Sequence, residues 1–294
     1  MKTRLLIVLA AIFLTGCKNK PAEADAYGNF EATEVIISSE TSGRILMFAK
    51  EEGSQIGIGE IIAIVDTTLP NLQKAEIDAG MNSVRTRINS IEAQNEILFQ
   101  QIENQNVNIA RIEKMMKDDA ATQKQYDDLV GQVAVLKKQI AANNTQKISI
   151  ASELTVYESK KATLNEQISR SYVKSPLAGT LIEKYSEAGE VTAQGKPLAK
   201  IADLSIIKLK VYVSGAELGK IKTGQQCTVR IDDGVKGYRN LRGIISYVSD
   251  KAEFTPKIIQ TKEERVNLVY AVKVRVKNDG SMKIGMPGEV RFRN

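Results

Sequence analysis

The sequence contains no histidine and no tryptophan, and only two of its 294 residues are cysteine. Without histidine, the chain cannot form a Ser-His-Asp or Cys-His nucleophile system, nor a metal site with imidazole ligands. It also lacks the Gly-x-x-x-x-Gly-Lys-Ser/Thr pattern of a phosphate-binding loop. We therefore predict no catalytic residue, no metal site and no cofactor, and we expect that the protein is not an enzyme.

Long clusters of one charge are also missing from the chain. The formal net charge is +6, but the 41 lysines and arginines are scattered among 35 acidic residues. Proteins that bind nucleic acids gather their basic residues on one face or stripe. We therefore expect no nucleic-acid partner.

Proline and glycine are nearly absent from one long segment. Between Pro70 and Pro176 there is no other proline, and Gly80 and Gly131 are the only glycines. Each costs a helix about 1 kcal/mol relative to alanine, which is too little to break a long helix. We predict two helices over residues 68–171, separated near residues 117–121.

Both predicted helices carry the heptad pattern of a coiled coil, with apolar residues recurring at alternating steps of four and three. Polar residues at some of these positions are expected to weaken the coiled coil while fixing its register. The outer faces are rich in asparagine and glutamine, which fits either a solvated surface or side-by-side packing of several hairpins. The polar seam residues are Asn95, Gln105, Asn143, Lys147 and Lys161.

A repeated segment flanks the predicted hairpin. Residues 39–65 (SETSGRILMFAKEEGSQIGIGEIIAIV) and 175–201 (SPLAGTLIEKYSEAGEVTAQGKPLAKI) align without a gap. Their glycines punctuate short β-branched runs, as in a small β-sandwich, and we expect them at turns with positive φ angles. The matched glycines are Gly43, Gly53 and Gly59 in the first copy and Gly179, Gly189 and Gly195 in the second.

The repeat resembles the lipoyl/biotinyl domain, in which two similar halves (here 30–67 and 172–203) pair into a flattened barrel. The carrier version of that domain attaches its cofactor to a lysine on the turn between the halves. Here the helical insert replaces that turn, so the resemblance does not extend to a carrier function.

The first residues have the features of an exported lipoprotein. Lys2 and Arg4 precede an apolar run that is too short to span a bilayer. The run ends in Leu-Thr-Gly-Cys, which resembles a lipobox, so we predict a signal peptide over 1–16 and a lipid on Cys17. Residues 17–29 are predicted to be a flexible tether. An uncleaved anchor or a plain signal peptide is the alternative, and either also places the body outside the cytoplasm.

Residues 204–294 alternate strand-like runs with glycine and proline turns, which predicts an antiparallel β-barrel. The predicted fold is therefore an elongated, multidomain α+β protein. It has a split lipoyl-like β-sandwich, an inserted antiparallel coiled-coil hairpin and a C-terminal barrel.

This order of parts behind a lipobox resembles the HlyD-type membrane fusion proteins, the periplasmic adaptors of efflux pumps. The resemblance implies an adaptor between an inner-membrane transporter and a TolC-like outer-membrane channel, exporting small molecules or peptides. It also implies that the protein forms a homo-oligomer, a hexamer. The protein would lie in the periplasm, where its lipid would anchor it to the inner membrane. The stretch from Glu253 to Lys257, with Gln260, Thr261 and 264–266, resembles adaptors of ABC-type exporters. That resemblance implies a transporter made of a permease and an ATPase. Because the chain ends after the barrel, we expect no membrane-proximal domain.

Adaptors of this family carry an R-x₃-L-x₆-S motif at the hairpin tip, which contacts the channel. The matching residues here are Arg111, Met115 and Thr122, so two of the three positions differ from the motif. We expect these residues, with Asp118 and Asp119, to dock to a channel. The alternative is that Arg111 is only solvated, Met115 packs near the seam and Thr122 caps the second helix, with Gln125 three residues later completing a capping box.

A protein of another class remains the alternative for the whole chain. A structural lipoprotein of the cell envelope could use the coiled coil as a spacer, without any role in transport. The lipoyl-like repeat argues against it, because a spacer does not need two half-domains at its base.

Overall fold

The computed structural model describes residues 24–234, 237–254 and 268–292. The predicted signal peptide and Cys17 lie outside these residues, as does most of the stretch that resembles adaptors of ABC-type exporters. Of that stretch, only Glu253 and Phe254 are described, at the end of a strand.

Two long antiparallel helices form the predicted hairpin. Helix α1 spans Thr68–Lys117 and helix α2 spans Gln123–Ser171, with 50 and 49 residues. At 1.5 Å per residue, each is about 75 Å long. Their common core is built from buried Val84, Ile91 and Ile150, flanked by half-buried aliphatic and aromatic residues.

The lipoyl-like domain is made of strands from both sides of the hairpin. One of its sheets has the order β5-β4-β2-β7, and the other contains β3 and β6 together with β8 (Pro197–Ser214) and β1 (Ala26–Ser38). Eleven apolar residues from both halves of the domain form one buried core between the sheets. The strands of this domain alone are β2 (Gly43–Phe48), β3 (Gln55–Ile56), β4 (Ile61–Val65), β5 (Tyr172–Lys174), β6 (Gly179–Lys184) and β7 (Val191–Thr192).

Six strands of the described part of the chain close an antiparallel barrel, in the order β1-β12-β9-β10-β11-β8 with β8 pairing back to β1. A short helix, α3 (Gly215–Leu218), follows β8. The barrel has a separate core around Phe30, Leu209 and Val229. Its strands are β1 (Ala26–Ser38), β8 (Pro197–Ser214), β9 (Gln226–Asp232), β10 (Tyr238–Phe254), β11 (Leu268–Lys277) and β12 (Pro287–Phe292).

Strands β1 and β8 run through both β domains. The residues before Glu31 pair with the barrel strands, and those after Thr33 pair within the lipoyl-like domain, with a register shift between them. The prediction that the tether extends to residue 29 is therefore wrong, because Ala26 to Asn29 lie in β1. The barrel also needs this N-terminal strand, so it is not made from residues 204–294 alone.

The predicted fold class is confirmed: the protein is an elongated α+β chain in which a long helical hairpin projects from a split β domain that is followed by a barrel. Closure of the barrel removes the two free edges that an open six-stranded sheet would expose to other chains.

Candidate docking site at the tip of the helical hairpin

The two halves of the lipoyl-like domain bind each other through equivalent hydrogen bonds. The N–H of Gly53 donates to the carbonyl oxygen of Leu181 at 2.8 Å, and the N–H of the matched Gly189 donates to that of Ile45 at 2.7 Å. A second equivalent pair joins Gly59 to Ser175 and Gly195 to Ser39, each at 2.8 Å. The two copies of the repeat are thus related by an approximate twofold symmetry in the structure. The hydrogen bonds between them hold the two halves together at the base of the hairpin.

The matched glycines serve two different purposes. Four of them have φ angles between 74° and 95°, as expected for turns: Gly53, Gly59, Gly189 and Gly195. Gly179 does not have a positive φ, so that expectation is wrong for it. A Cβ atom at Gly179 would lie 2.5 Å from the carbonyl oxygen of Ala202, and one at Gly43, with a φ of 157°, would lie 3.0 Å from Cγ1 of Val65. Glycine is therefore required at Gly43 and Gly179 because neighbouring strand atoms lie too close for a side chain.

The hairpin is inserted between two paired strands, β4 and β5, with Ile64 opposite Tyr172. Only Asp66 and Thr67 separate β4 from α1, and α2 leads directly into β5. Oδ1 of Asp66 accepts a hydrogen bond from the N–H of Thr68 at 2.8 Å. The hydroxyl and the N–H of Thr68 lower the pKa of Asp66 below its usual value, which favours a carboxylate at the positive end of α1.

The two helices are joined along their length by polar contacts as well as apolar ones. Nζ of Lys147 lies 2.5 Å from Oε1 of Glu92, and Nζ of Lys161 lies 2.6 Å from Oδ1 of Asp78. The heptad pattern places both lysines in the seam between the helices. In the structure, each ammonium group instead contacts a carboxylate at the edge of that seam. The sequence pattern did not predict these partners. Asp78 and Glu92 directly follow seam positions, so their carboxylates could have been proposed as partners for lysines in the seam. Such half-exposed pairs contribute about 0–1 kcal/mol each.

At the tip, the chain reverses within the five residues between the helices. The N–H of Ala120 donates to the carbonyl oxygen of Met115 at 2.8 Å, and that of Asp119 donates to the carbonyl oxygen of Met116 at 3.2 Å. Asp119 has a φ of 55°, in the left-handed region that aspartate enters more readily than most residues. Asp119 therefore shapes the turn, a role that the sequence pattern did not predict for it.

Thr122 caps α2, as its spacing from Gln125 predicted. The N–H of Gln125 donates to Oγ1 of Thr122 at 3.4 Å, and the N–H of Thr122 donates to Oε1 of Gln125 at 2.8 Å. This is a complete capping box. The hydroxyl of Thr122 is therefore engaged within the chain, while its side chain is still exposed.

The other predicted docking residues are exposed near the end of α1. Arg111 and Met115 are one helical turn apart, and Asp118 and Asp119 follow directly after the helix. Nη1 of Arg111 donates to Oδ1 of Asn108 at 3.5 Å, and Met115 is 38% exposed rather than packed in the seam. No described hydrogen bond or ion pair links the side chains of Arg111, Met115 and Thr122 to one another.

No group of histidine, cysteine or acidic residues within the described part of the chain could hold a metal ion, and none of its helices is long and apolar enough to cross a membrane. Cys227 is buried in the barrel, and burial raises the pKa of its thiol to about 11, so it is a structural residue.

The sequence was compared with protein families and with curated proteins. No protein-family profile matches the chain. A UPF0194 membrane protein of Yersinia enterocolitica is 25% identical over 300 residues, covering 94% of this chain and 91% of its own.

Solved structures share the fold at lower sequence identity. MacA from Actinobacillus actinomycetemcomitans matches with a TM-score of 0.63 and 19% identity, over 90% of this chain and 76% of its own. The periplasmic adaptor protein EmrA matches with a TM-score of 0.50 and 15% identity, over 92% and 98%. The resemblance to membrane fusion proteins is thereby confirmed, and the chain has the fold of a periplasmic adaptor protein of that family.

Proposed function

We propose that the protein is a lipid-anchored periplasmic adaptor that links an inner-membrane transporter to a TolC-like outer-membrane channel. The observation that carries this proposal is the antiparallel hairpin of about 75 Å, which projects from a lipoyl-like base whose two halves are hydrogen-bonded to each other. A stiff rod on a closed base suits a protein that bridges two partners across a distance. Its role is to assemble an export path, and it is not an enzyme.

The transporter in this proposal is of the ABC type, with a permease and an ATPase, and the cargo is a small molecule or a peptide. The lipid on Cys17 holds the protein at the inner membrane, beside the transporter. β1 starts at Ala26, so fewer residues separate Cys17 from the barrel than the sequence suggested.

Several copies, forming a hexamer, are proposed to surround the export path. Side-by-side packing fits the surface of the hairpin, because a groove between its helices is lined by Gln101, Gln105, Gln132 and Val135. Isolated aliphatic residues are also exposed on the rod, including Ile148 at 70%. Amide groups and scattered aliphatic side chains suit contact with a neighbouring hairpin of the same kind.

The proposed contact with the outer-membrane channel uses Arg111, Met115 and Thr122, supported by Asp118 and Asp119. A flexible thioether next to a guanidinium group gives an apolar contact and a directional charged donor on one exposed turn. The structural-spacer alternative gains no support from the structure, since a spacer does not require the split domain at its base.

The experiment that tests this proposal is capture of envelope partners by an affinity-tagged Arg111→Asp variant, followed by mass spectrometry. Arg85→Asp is a matched control, because Arg85 is also exposed on α1 and also donates through Nη1 to the asparagine three residues earlier. We expect the Arg111 variant to lose an outer-membrane channel and keep the transporter, while the Arg85 variant keeps both. Normal capture and export by the Arg111→Asp variant would contradict the docking role.

A further inference from the structure

The outer face of the barrel has a groove with an unusual lining, at the end nearest the lipoyl-like domain. Its cavity of about 540 Å³ is bordered by three cations, Arg242, Arg275 and Lys277, and by two aliphatic residues, Ile206 and Ile244. Neither the hairpin nor the docking proposal explains why these residues occur together.

The strand register brings the cations together. Arg275 on β11 lies opposite Ile244 on β10 and opposite Lys208 on β8. Gly243 lies opposite Val276, so the preceding Arg242 and the following Lys277 are neighbours on the outer face. Side chains directly opposite each other in an antiparallel pair have Cβ atoms about 5 Å apart, and like charges at such positions destabilise a sheet.

No described acidic residue offsets the charges of the three cations that border the groove. Among the described residues, Arg242, Arg275 and Lys277 form no ion pair with any aspartate or glutamate. The acid nearest in sequence to the β8 side of the groove, Asp203, accepts hydrogen bonds from the N–H and hydroxyl of Ser205 at 2.9 and 2.6 Å. The cations are thus arranged for an anion that none of the described residues supplies.

The two isoleucines give the groove a second property. Ile206 is 46% exposed and lies opposite Lys277, and Ile244 is 42% exposed and lies opposite Arg275. Aliphatic side chains left in water beside a cluster of cations suit a ligand with an anionic group joined to an apolar one.

We propose that this groove binds a phosphate group carried by an aliphatic chain. Two guanidinium groups offer paired N–H donors that match phosphate oxygens, and the third cation suits an anion with more than one charge. The aliphatic part of the ligand lies against Ile206 and Ile244. The proposal is independent of the docking role of the hairpin tip.

Calorimetric titration of the full-length protein in a non-ionic detergent tests the proposal with three probes: inorganic phosphate, hexyl phosphate and hexyl glucoside. We expect both phosphates to bind, and hexyl phosphate to bind about tenfold more tightly, because partial burial of its methylene groups adds apolar contact. Hexyl glucoside should not bind. Equal affinities of the two phosphates would overturn the aliphatic part, and absence of binding by both would overturn the proposal.

Variants assign the binding to the groove. Arg242→Gln with Lys277→Gln should weaken both phosphates about tenfold or more, because charge-assisted hydrogen bonds are lost. Ile244→Ser should weaken hexyl phosphate alone. Lys174→Gln with Lys220→Gln is the matched control, since it removes two exposed cations elsewhere and should leave both affinities unchanged. Wild-type affinity in the Arg242/Lys277 variant, or equal losses in the control, would overturn the assignment.

Discussion

Asn143 on α2 donates a hydrogen bond through Nδ2 to Oδ1 of Asn95 on α1, at 2.9 Å, and Nδ2 of Asn95 in turn donates to Oδ1 of Asn144 at 3.0 Å. Asn95 is only 6% exposed, so its amide depends on these partners rather than on water. The network therefore fixes the register of the two helices at the middle of the hairpin, where a shift by one turn would leave a buried amide without a partner.

Replacing Asn143 with alanine should destabilise the hairpin. The substitution leaves Oδ1 of the buried Asn95 without its donor, and we expect the free energy of unfolding to fall by about 1–3 kcal/mol. Thermal unfolding followed by far-UV circular dichroism measures the loss. Asn106→Ala is the control, because Asn106 is exposed on the same hairpin, and equal melting temperatures of the two variants would argue against the network.

Gly28→Ala should disrupt closure of the barrel. A Cβ atom at Gly28 would lie 1.7 Å from the carbonyl oxygen of Lys210, a backbone atom of the neighbouring strand, so the strands would have to separate. We expect a loss of about 2 kcal/mol or more in urea-induced unfolding. Gly219→Ala, where no heavy atom lies within 4 Å of the added Cβ, should have little effect. If Gly28 belonged to a flexible tether, both substitutions would be harmless.

Thr122→Ala should destabilise the start of α2 by about 1 kcal/mol, because it removes the hydroxyl that accepts the N–H of Gln125. Thr122→Ser retains the hydroxyl and should match the wild type. Chemical denaturation of the two variants measures this difference, and capture of the outer-membrane channel by the serine variant should stay normal. A Thr122→Ala variant as stable as the wild type would show that the cap contributes nothing.

Asp66→Asn should reduce stability in a way that depends on pH. The pKa of Asp66 is lowered in the folded protein by Thr68, so the carboxylate stabilises the fold above its unfolded pKa. This contribution is lost as the pH falls through the folded pKa, below 3.8. Melting temperatures measured from about pH 6 to about pH 2 should therefore differ between wild type and variant at the upper end and converge at the lower end. A difference that does not change with pH would contradict this role.

The sequence by itself determined the features that depend on neighbouring residues. The heptad period and the scarcity of glycine and proline predicted both helices, and the spacing of Thr122 and Gln125 predicted the cap, because helix periodicity and capping act within one or two turns. The repeat predicted that two distant segments form one domain, since copies with matched glycines share their local geometry.

Only the tertiary structure decided the features that depend on contacts between distant segments. The assignment of Gly28 to a barrel strand follows from its pairing with β8 and β12, which no local pattern near Gly28 encodes. The partners of Lys147 and Lys161 lie on the other helix, so their pairing depends on how the arms align. The groove around Arg275 likewise exists because strand register places cations from β10 and β11 side by side. The local sequence determines where helices and strands form. The register between them determines which charged groups and which backbone atoms come into contact. That register is fixed only when the cores are packed.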